Sequence, residues 1–147
     1  MADFILLDKD PSIDITVLSN IKKIVRRGEI LETKKLFEVS PEILAQQQLN
    51  AYNLRDIEGF LEPYADSVEI YEFPEKLMSK GKDKMRKDYG PMFQQVKDLH
   101  CEVTKRIVQG NTVIDHETVW GFGPKPVNAV AIYKIENGKI AKVYFIQ

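Results

Sequence analysis

Apolar residues recur along most of this chain with two periods, one of about 3.6 residues and one of two residues. The helical period appears three times, beginning near Ser40, near Asp56 and after Gly81. The alternating period occupies residues 67–73, a short run at 77–79, and then four successive stretches near the C-terminus. Those four stretches are His100–Gln109, 112–122, Val127–Glu136 and Lys139–Ile146. Helices followed by a four-strand meander predict an α+β domain over residues 40–147.

The ends of these elements carry ordinary local signals. Ser40 is a favourable N-cap, and Pro41 suits the first position of a helix. Within the third helix, Gly90 and Pro91 predict a kink or an interruption, because proline removes a helical hydrogen bond. The short connections at residues 110–111 and 137–138 combine Gly with Asn, a pair that is typical of tight hairpins.

The first 39 residues follow a different pattern. Short apolar runs at residues 4–7, 21–27 and 29–32 predict three strands with apolar side chains on both faces. So short a segment does not cover both faces by itself. We therefore treat residues 1–39 as an N-terminal extension, separate from the domain at 40–147, and expect its strands to pack on that domain or across a dimer.

Composition limits the classes of function. The chain has 147 residues, 44% of them hydrophobic and 29% charged, with a net charge of −1, so one globular domain with a real core is expected. Its basic residues form no cluster of the kind that binds nucleic acid. Cys101 is the only cysteine, which excludes an intrachain disulfide. No apolar run approaches the length of about 20 residues that spans a bilayer, and the N-terminus does not resemble a signal peptide. We expect a cytoplasmic protein with no membrane partner.

Five segments in order carry a resemblance to a known fold. They are AYNLRDI at 51–57, YADSV at 64–68, DLHCEV at 98–103, DHE at 115–117 and AIYKIENGKI at 131–140. Together they resemble the SnoaL-like and ketosteroid-isomerase-related families of the nuclear-transport-factor-2-like superfamily. The resemblance covers about residues 41–147. It implies a cone in which a curved sheet wraps around three helices, with a deep pocket at the open end.

The extension is similar to something else. Residues 2–11 and 21–30 resemble the last strands of imidazolonepropionase-like amidohydrolases, where they complete a β-sandwich beside the catalytic barrel. No amidohydrolase activity is implied, since those strands hold no metal ligands and this chain has only two histidines and no His-x-His pair. The segment is either a remnant of a longer fusion or an ordinary extension.

The family resemblance places Glu72 at about the position of the catalytic base of a ketosteroid isomerase. Glu72 shares the face of its predicted strand with Val68 and Ile70, which favours an inward direction. A carboxylate that faces an apolar pocket has its pKa raised by desolvation, which suits proton transfer near neutral pH. The alternative is that Glu72 lies at the end of its strand and points to solvent.

The two acidic groups that stabilise an enolate in those isomerases are not matched. The position of the family tyrosine falls on Gln48, with Tyr52 one turn further along the helix, and the second position falls near Val130. An enolate without a strong oxyanion stabiliser is several kcal/mol harder to form. Gln48 or Tyr52 remains as a weaker hydrogen-bond donor to a bound molecule.

His100 and His116 are further candidates for acid–base catalysis, because a neutral histidine exchanges a proton near pH 7. The alternative for each is a cross-strand or subunit contact on an open sheet face. No metal site and no cofactor are predicted, since the histidine and cysteine spacings match no metal-binding pattern. Four other residues are expected to line the pocket, and they are Tyr89, Phe93, Trp120 and Asn128.

Two functions remain open from the sequence. One is binding of a small apolar organic ligand with proton-transfer catalysis, as an isomerase, lyase or hydrolase that uses a pocket carboxylate or histidine. The other is a non-catalytic ligand-binding or dimerisation module, formerly the accessory domain of an amidohydrolase. We also expect a homodimer that forms through the exposed face of the meander.

Overall fold

The computed structural model describes residues 3–7, 9–15, 21, 23–32 and 39–147. The chain divides into two units, Met1–Glu38 and Val39–Gln147. Residues 22 and 33–38, which include part of the second predicted strand and the end of the extension, lie outside the described residues. Within the described residues, no helix has the length and apolar character required to span a membrane.

The smaller unit contains a three-stranded antiparallel sheet in the order β1-β2-β3. These strands are β1 (Phe4–Leu6), β2 (Lys23–Arg26) and β3 (Glu29–Glu32). Arg27 and Gly28 connect β2 to β3, both with positive φ angles of 52° and 85°, as a two-residue hairpin turn requires. The Arg27 amide donates a hydrogen bond to the Asp3 carboxylate at 2.9 Å, which ties this turn to the start of β1.

The larger unit contains three helices and a six-stranded mixed sheet. The helices are α1 (Pro41–Leu54), α2 (Ile57–Leu61) and α3 (Lys82–Gln95). The strands are β4 (Tyr64–Glu72), β5 (Lys76–Lys80), β6 (His100–Gln109), β7 (Thr112–Trp120), β8 (Val127–Glu136) and β9 (Lys139–Ile146). Their order is β5-β4-β9-β8-β7-β6, and only β4 and β9 run parallel. This arrangement confirms the predicted α+β class.

Local signals set the helix ends as the sequence predicts. The Ser40 hydroxyl accepts a hydrogen bond from the Ile43 amide at 3.3 Å, which caps α1. Asp56 caps α2 in the same way. Of the two alternatives predicted for α3, a kink or an interruption, the interruption does not occur, because Pro91 lies inside one continuous helix. Met85 and Phe93 are buried in the core on either side of this proline, so tertiary packing holds both halves in place.

The inner face of the sheet packs against the helices and forms the core. Along β7 the buried positions are Val113, Asp115 and Glu117, and His116 between them is exposed. Side chains alternate between the two faces of a strand, so the core side of β7 carries two carboxylates and its outer side carries the histidine.

Candidate functional site

A cavity of about 530 Å³ lies between the inner face of the sheet and the helices of the larger unit. Its wall is mainly apolar and aromatic, which is typical of sites that bind small organic molecules. The aromatic side chains that line it are Tyr52, Phe60, Tyr64, Tyr89, Phe122, Tyr133 and Phe145. The rings of Tyr52 and Tyr89 both pack against that of Phe60 at tilted angles, with ring centroids 5.9 and 4.8 Å away, so the helices contribute a packed aromatic wall.

In the described part of the chain, two side-chain carboxylates line this wall, and Glu117 is the buried one. It projects inward from the middle of β7 and is only 5% exposed. The Tyr133 hydroxyl, on the neighbouring strand β8, donates a hydrogen bond to its Oε1 atom at 2.8 Å. Within the described residues no hydrogen bond reaches the other oxygen, Oε2, and no fully buried side-chain oxygen lacks a partner. Oε2 is therefore open to the cavity.

A chain of buried hydrogen bonds determines that Tyr133 is the donor in its hydrogen bond with Glu117. The Tyr64 hydroxyl donates to Oε1 of Gln48 at 3.3 Å, and Nε2 of Gln48 donates to the Tyr133 hydroxyl at 3.0 Å. Since Tyr133 already accepts from Gln48, its own proton goes to Glu117. Gln48 thus positions Tyr133 as a donor toward the carboxylate.

Burial changes the acidity of Glu117. Desolvation raises the pKa of its carboxyl group from 4.5 to about 7, because the charged form loses its hydration. The hydrogen bond from Tyr133 and the charge of Arg106 oppose this rise, and the charge of Asp115 adds to it. Glu117 is therefore able to gain or lose a proton near neutral pH, as a general acid or base requires.

Two tyrosines add further polar groups to the cavity wall. Tyr52 and Tyr89 line the cavity, and their hydroxyls form no hydrogen bond with any described residue. Burial and then the charge of Glu117 raise the pKa of Tyr89 to about 12, and the pKa of Tyr52 is raised mainly by burial. Both remain protonated donors at neutral pH, free to bond to a ligand oxygen.

Asp115 lies one inward position away from Glu117 but has a different role. It is fully buried and receives two hydrogen bonds of 2.7 Å from the Arg106 guanidinium on β6. A bidentate pair of this kind satisfies both partners. Asp115 is therefore part of the support of the sheet, and Glu117 alone of these two carboxylates faces the cavity.

The structure corrects the predicted position of Glu72. Its strand face is the predicted one, but β4 ends at this residue, and the side chain is 55% exposed. It accepts a hydrogen bond from Lys76 at 2.7 Å and does not line the cavity. A residue at the end of a strand can share the inward face of that strand and still be exposed, as Glu72 is.

The predicted histidines also lie outside the cavity. His100 and His116 are both exposed, on the outer face of the sheet. The His100 ring lies 5.8 Å from that of Trp120, and Nδ1 of His116 lies 3.1 Å from the Thr104 hydroxyl. These are cross-strand contacts, the alternative that the sequence left open.

Trp120 and Asn128 are likewise on the outer face and not in the pocket wall. Asn128 accepts a hydrogen bond from the Thr118 hydroxyl at 3.0 Å and is exposed. Asn128 does lie on the same face of β8 as Val130, as predicted, but that face is the outer one. Phe93 is buried in the core, against the ring of Tyr52 at 5.4 Å.

Three predicted ligand-binding residues, Gln48, Tyr52 and Tyr89, do line the cavity. Sequence reasoning missed Glu117 and Tyr133. One signal in the sequence could have indicated them. By alternation, Glu117 lies on the same strand face as apolar Val113, and Tyr133 lies on the same strand face as apolar Ala131. Among the described residues, no three His, Cys, Asp or Glu side chains are grouped to hold a metal ion.

Comparison with known proteins agrees with this architecture. A model of the SnoaL-like domain matches residues 45–143. An uncharacterised cystatin-fold protein from Novosphingobium aromaticivorans is 23% identical with a TM-score of 0.68, over 74% of this chain and 98% of that chain. A proposed polyketide cyclase from Sinorhizobium meliloti is 16% identical with a TM-score of 0.61, over 70% and 93%.

A proposed ketosteroid isomerase from Kribbella flavida is 20% identical with a TM-score of 0.58, over 71% of this chain and 75% of that chain. At these identities the likeness shows the fold alone. Comparison with curated protein sequences gave no significant match. The family match covers most of the larger unit, and the chain therefore belongs to the SnoaL-like domain family.

Proposed function

We propose that the larger unit binds a small, mostly apolar organic molecule and exchanges a proton with it through Glu117. One observation carries this proposal: a buried carboxylate with a pKa of about 7 presents one free oxygen to an aromatic cavity. The volume of about 530 Å³ is in the range of pockets for drug-sized molecules.

The chemistry that this arrangement supports best is proton abstraction next to a carbonyl group. Oε2 of Glu117 takes the proton, the carbon–hydrogen bond breaks, and its electron pair moves to the carbonyl oxygen. The hydroxyls of Tyr52 and Tyr89, on which the charge of Glu117 acts, are available as hydrogen-bond donors to that developing negative charge. Return of the proton to another carbon completes an isomerisation, and loss of a leaving group completes an elimination.

The second candidate is a ligand-binding module without catalysis, in keeping with the resemblance of residues 1–39 to an amidohydrolase tail. By the family resemblance, the two positions that hold acidic donors in ketosteroid isomerases correspond in this chain to Gln48 and to a residue near Val130. Gln48 is committed to Tyr64 and Tyr133. Val130 pairs with exposed His116 on the outer face of the sheet. The donor set of those isomerases is therefore not reproduced here.

We also propose that the outer face of the meander forms a homodimer. Apolar side chains on neighbouring strands meet there, since Ile132 pairs with Ile114 on one side and with Tyr144 on the other. All three are only partly buried. Sedimentation equilibrium of the full chain and of an Ile132→Lys variant tests this, with dimer expected for the former and monomer for the latter. A monomeric full chain would refute it.

A fragment screen by ligand-observed NMR tests binding, with amide shifts to locate the hits. Ketone-containing hits are then incubated with the protein in D₂O, and exchange of the hydrogens beside the carbonyl is followed. We expect exchange in the wild type and a loss of at least about 100-fold in Glu117→Gln, the usual contribution of a general base.

Glu72→Gln is the matched control, because it removes one carboxylate that lies outside the cavity. It should exchange hydrogen at the wild-type rate. Binding in the cavity without any accelerated exchange would favour the non-catalytic module. The absence of any hit in the cavity would refute both functions.

A further inference from the structure

The charges around the cavity are not balanced. Its wall includes the carboxylates of Glu117 and Asp88, and no lysine or arginine among the described residues lines it. Asp88 lies at the rim, where it forms an ion pair with Lys84 in the same helix. Glu117, deeper in the wall, has no ion pair with any described residue.

The nearest buried cation does not neutralise Glu117. Arg106 is committed to Asp115 by two hydrogen bonds, and its remaining contact is with Gln46. The two opposite charges of Arg106 and Asp115 cancel. When Glu117 is ionised, the interior of the domain therefore carries one negative charge without a counter-charge.

Aromatic residues line the cavity that holds this charge. The hydroxyls of four tyrosines are close enough to Glu117 for its charge to raise their pKa values. They are Tyr52, Tyr64, Tyr89 and Tyr133. The faces of aromatic rings attract cations, and the attraction is strongest where water is excluded. A carboxylate within an aromatic wall is thus suited to an organic cation.

We propose that the cavity selects a protonated amine carried on an aromatic or alicyclic body, with the ammonium donating a hydrogen bond to Oε2 of Glu117, and that it rejects carboxylates. This inference rests on the proposed function, since it uses the same cavity and the same carboxylate. While an ammonium holds Oε2, that oxygen does not abstract a proton from carbon, so such an amine is bound as a ligand and not turned over. An ammonium supplies the missing counter-charge, and its apolar body contacts the aromatic wall.

The three charge states of one ligand scaffold differ in a predictable way. The ammonium gains a charge-assisted hydrogen bond and removes the penalty for burying an unpaired carboxylate. A neutral hydroxyl makes only an ordinary hydrogen bond. A carboxylate places like charges together in a low-dielectric site, which is unfavourable. Affinity should therefore fall in the order amine, alcohol, acid.

Isothermal titration calorimetry with tryptamine, tryptophol and indoleacetate tests this order on the full-length protein at about pH 8, where Glu117 is ionised and the amine is still protonated. The three probes share an indole ring and differ in the charge of the side chain. We expect tryptamine to bind at least about tenfold more tightly than tryptophol. Indoleacetate should bind more weakly than either.

Glu117→Gln should bring the affinity for tryptamine to within about threefold of that for tryptophol, with little change for tryptophol itself. Glu72→Gln, which removes the same charge outside the cavity, should keep the wild-type preference. Equal binding of amine and alcohol by the wild type, or a preference that persists in Glu117→Gln, would overturn the inference. In either case tryptophol bound in the cavity leaves the proposed function standing. If none of the three binds, the inference is also overturned, and the fragment screen separately decides the proposed function.

Discussion

Replacing Glu117 with glutamine should stabilise the protein above about pH 7 and do so much less at about pH 5. The folded state raises the pKa of this carboxyl group from 4.5 to about 7. Between these two values the folded protein holds a proton that the unfolded chain has released. The free energy of unfolding must therefore fall as the pH rises through this interval, and it stays lower above it.

The size of this effect follows from the shift. Each pKa unit corresponds to about 1.4 kcal/mol, so a rise from 4.5 to about 7 costs the wild type about 3 kcal/mol above pH 7. Glutamine has no proton to lose and avoids this cost. Its side-chain oxygen accepts the Tyr133 hydrogen bond as Oε1 does, and its amino group occupies the open side, toward the cavity.

Urea denaturation of wild type and Glu117→Gln at about pH 5 and about pH 8 measures the difference. The variant should be about 3 kcal/mol more stable at about pH 8 and only about 1 kcal/mol more stable at about pH 5. Exposed Glu72→Gln is the control, and surface changes of this kind usually stay within about 0.5 kcal/mol. A difference between wild type and Glu117→Gln that is the same at both pH values, or a less stable Gln variant at pH 8, would refute the reasoning.

Three further variants test the packing around the site by denaturation. Tyr133→Phe leaves Gln48 without its acceptor and should cost about 1–3 kcal/mol; no loss would contradict the buried hydrogen-bond chain. Arg106→Leu leaves the fully buried Asp115 carboxylate without its ion-pair partner and should lower the free energy of unfolding by about 3–5 kcal/mol. The double variant Arg106→Leu with Asp115→Leu should recover most of that loss. Gly121→Ala, at φ 111° and with a new Cβ 2.8 Å from the Val96 side chain, should lower the stability by about 1–3 kcal/mol; a neutral result would mean that this turn relaxes.

The order of elements was predictable because local signals and periodicity agree along most of the chain. Ser40 caps α1 and Asp56 caps α2. In the meander, the strands show the two-residue alternation of side chains, and short turns separate them. The continuity of α3 was not predictable, because the local effect of Pro91 is overridden by tertiary packing of Met85 and Phe93. The helix propensity of a residue describes only its local effect and not its tertiary contacts.

The candidate site was harder to predict, because alternation along a strand gives two faces without saying which one is inside. On β7, Ile114, His116 and Trp120 form one set, and Val113 and Glu117 belong to the other. Both sets contain apolar and titratable residues, so the pattern alone does not choose between them. On β4 the face that carries Glu72 was predicted correctly. Whether a residue at the end of a strand is buried depends on the tertiary structure around it, which the alternation does not report.

The most direct test of the central claim is a carbon-detected NMR titration of the Glu117 side-chain carboxyl group, assigned by comparison with Glu117→Gln. We expect a midpoint at about pH 7 in the free protein, with the titration also visible in the signals of the neighbouring Tyr133 and Tyr89. A midpoint near the ordinary value of 4.5 would contradict this, since Glu117 would then be a solvated carboxylate and not the proton-exchanging group of the cavity.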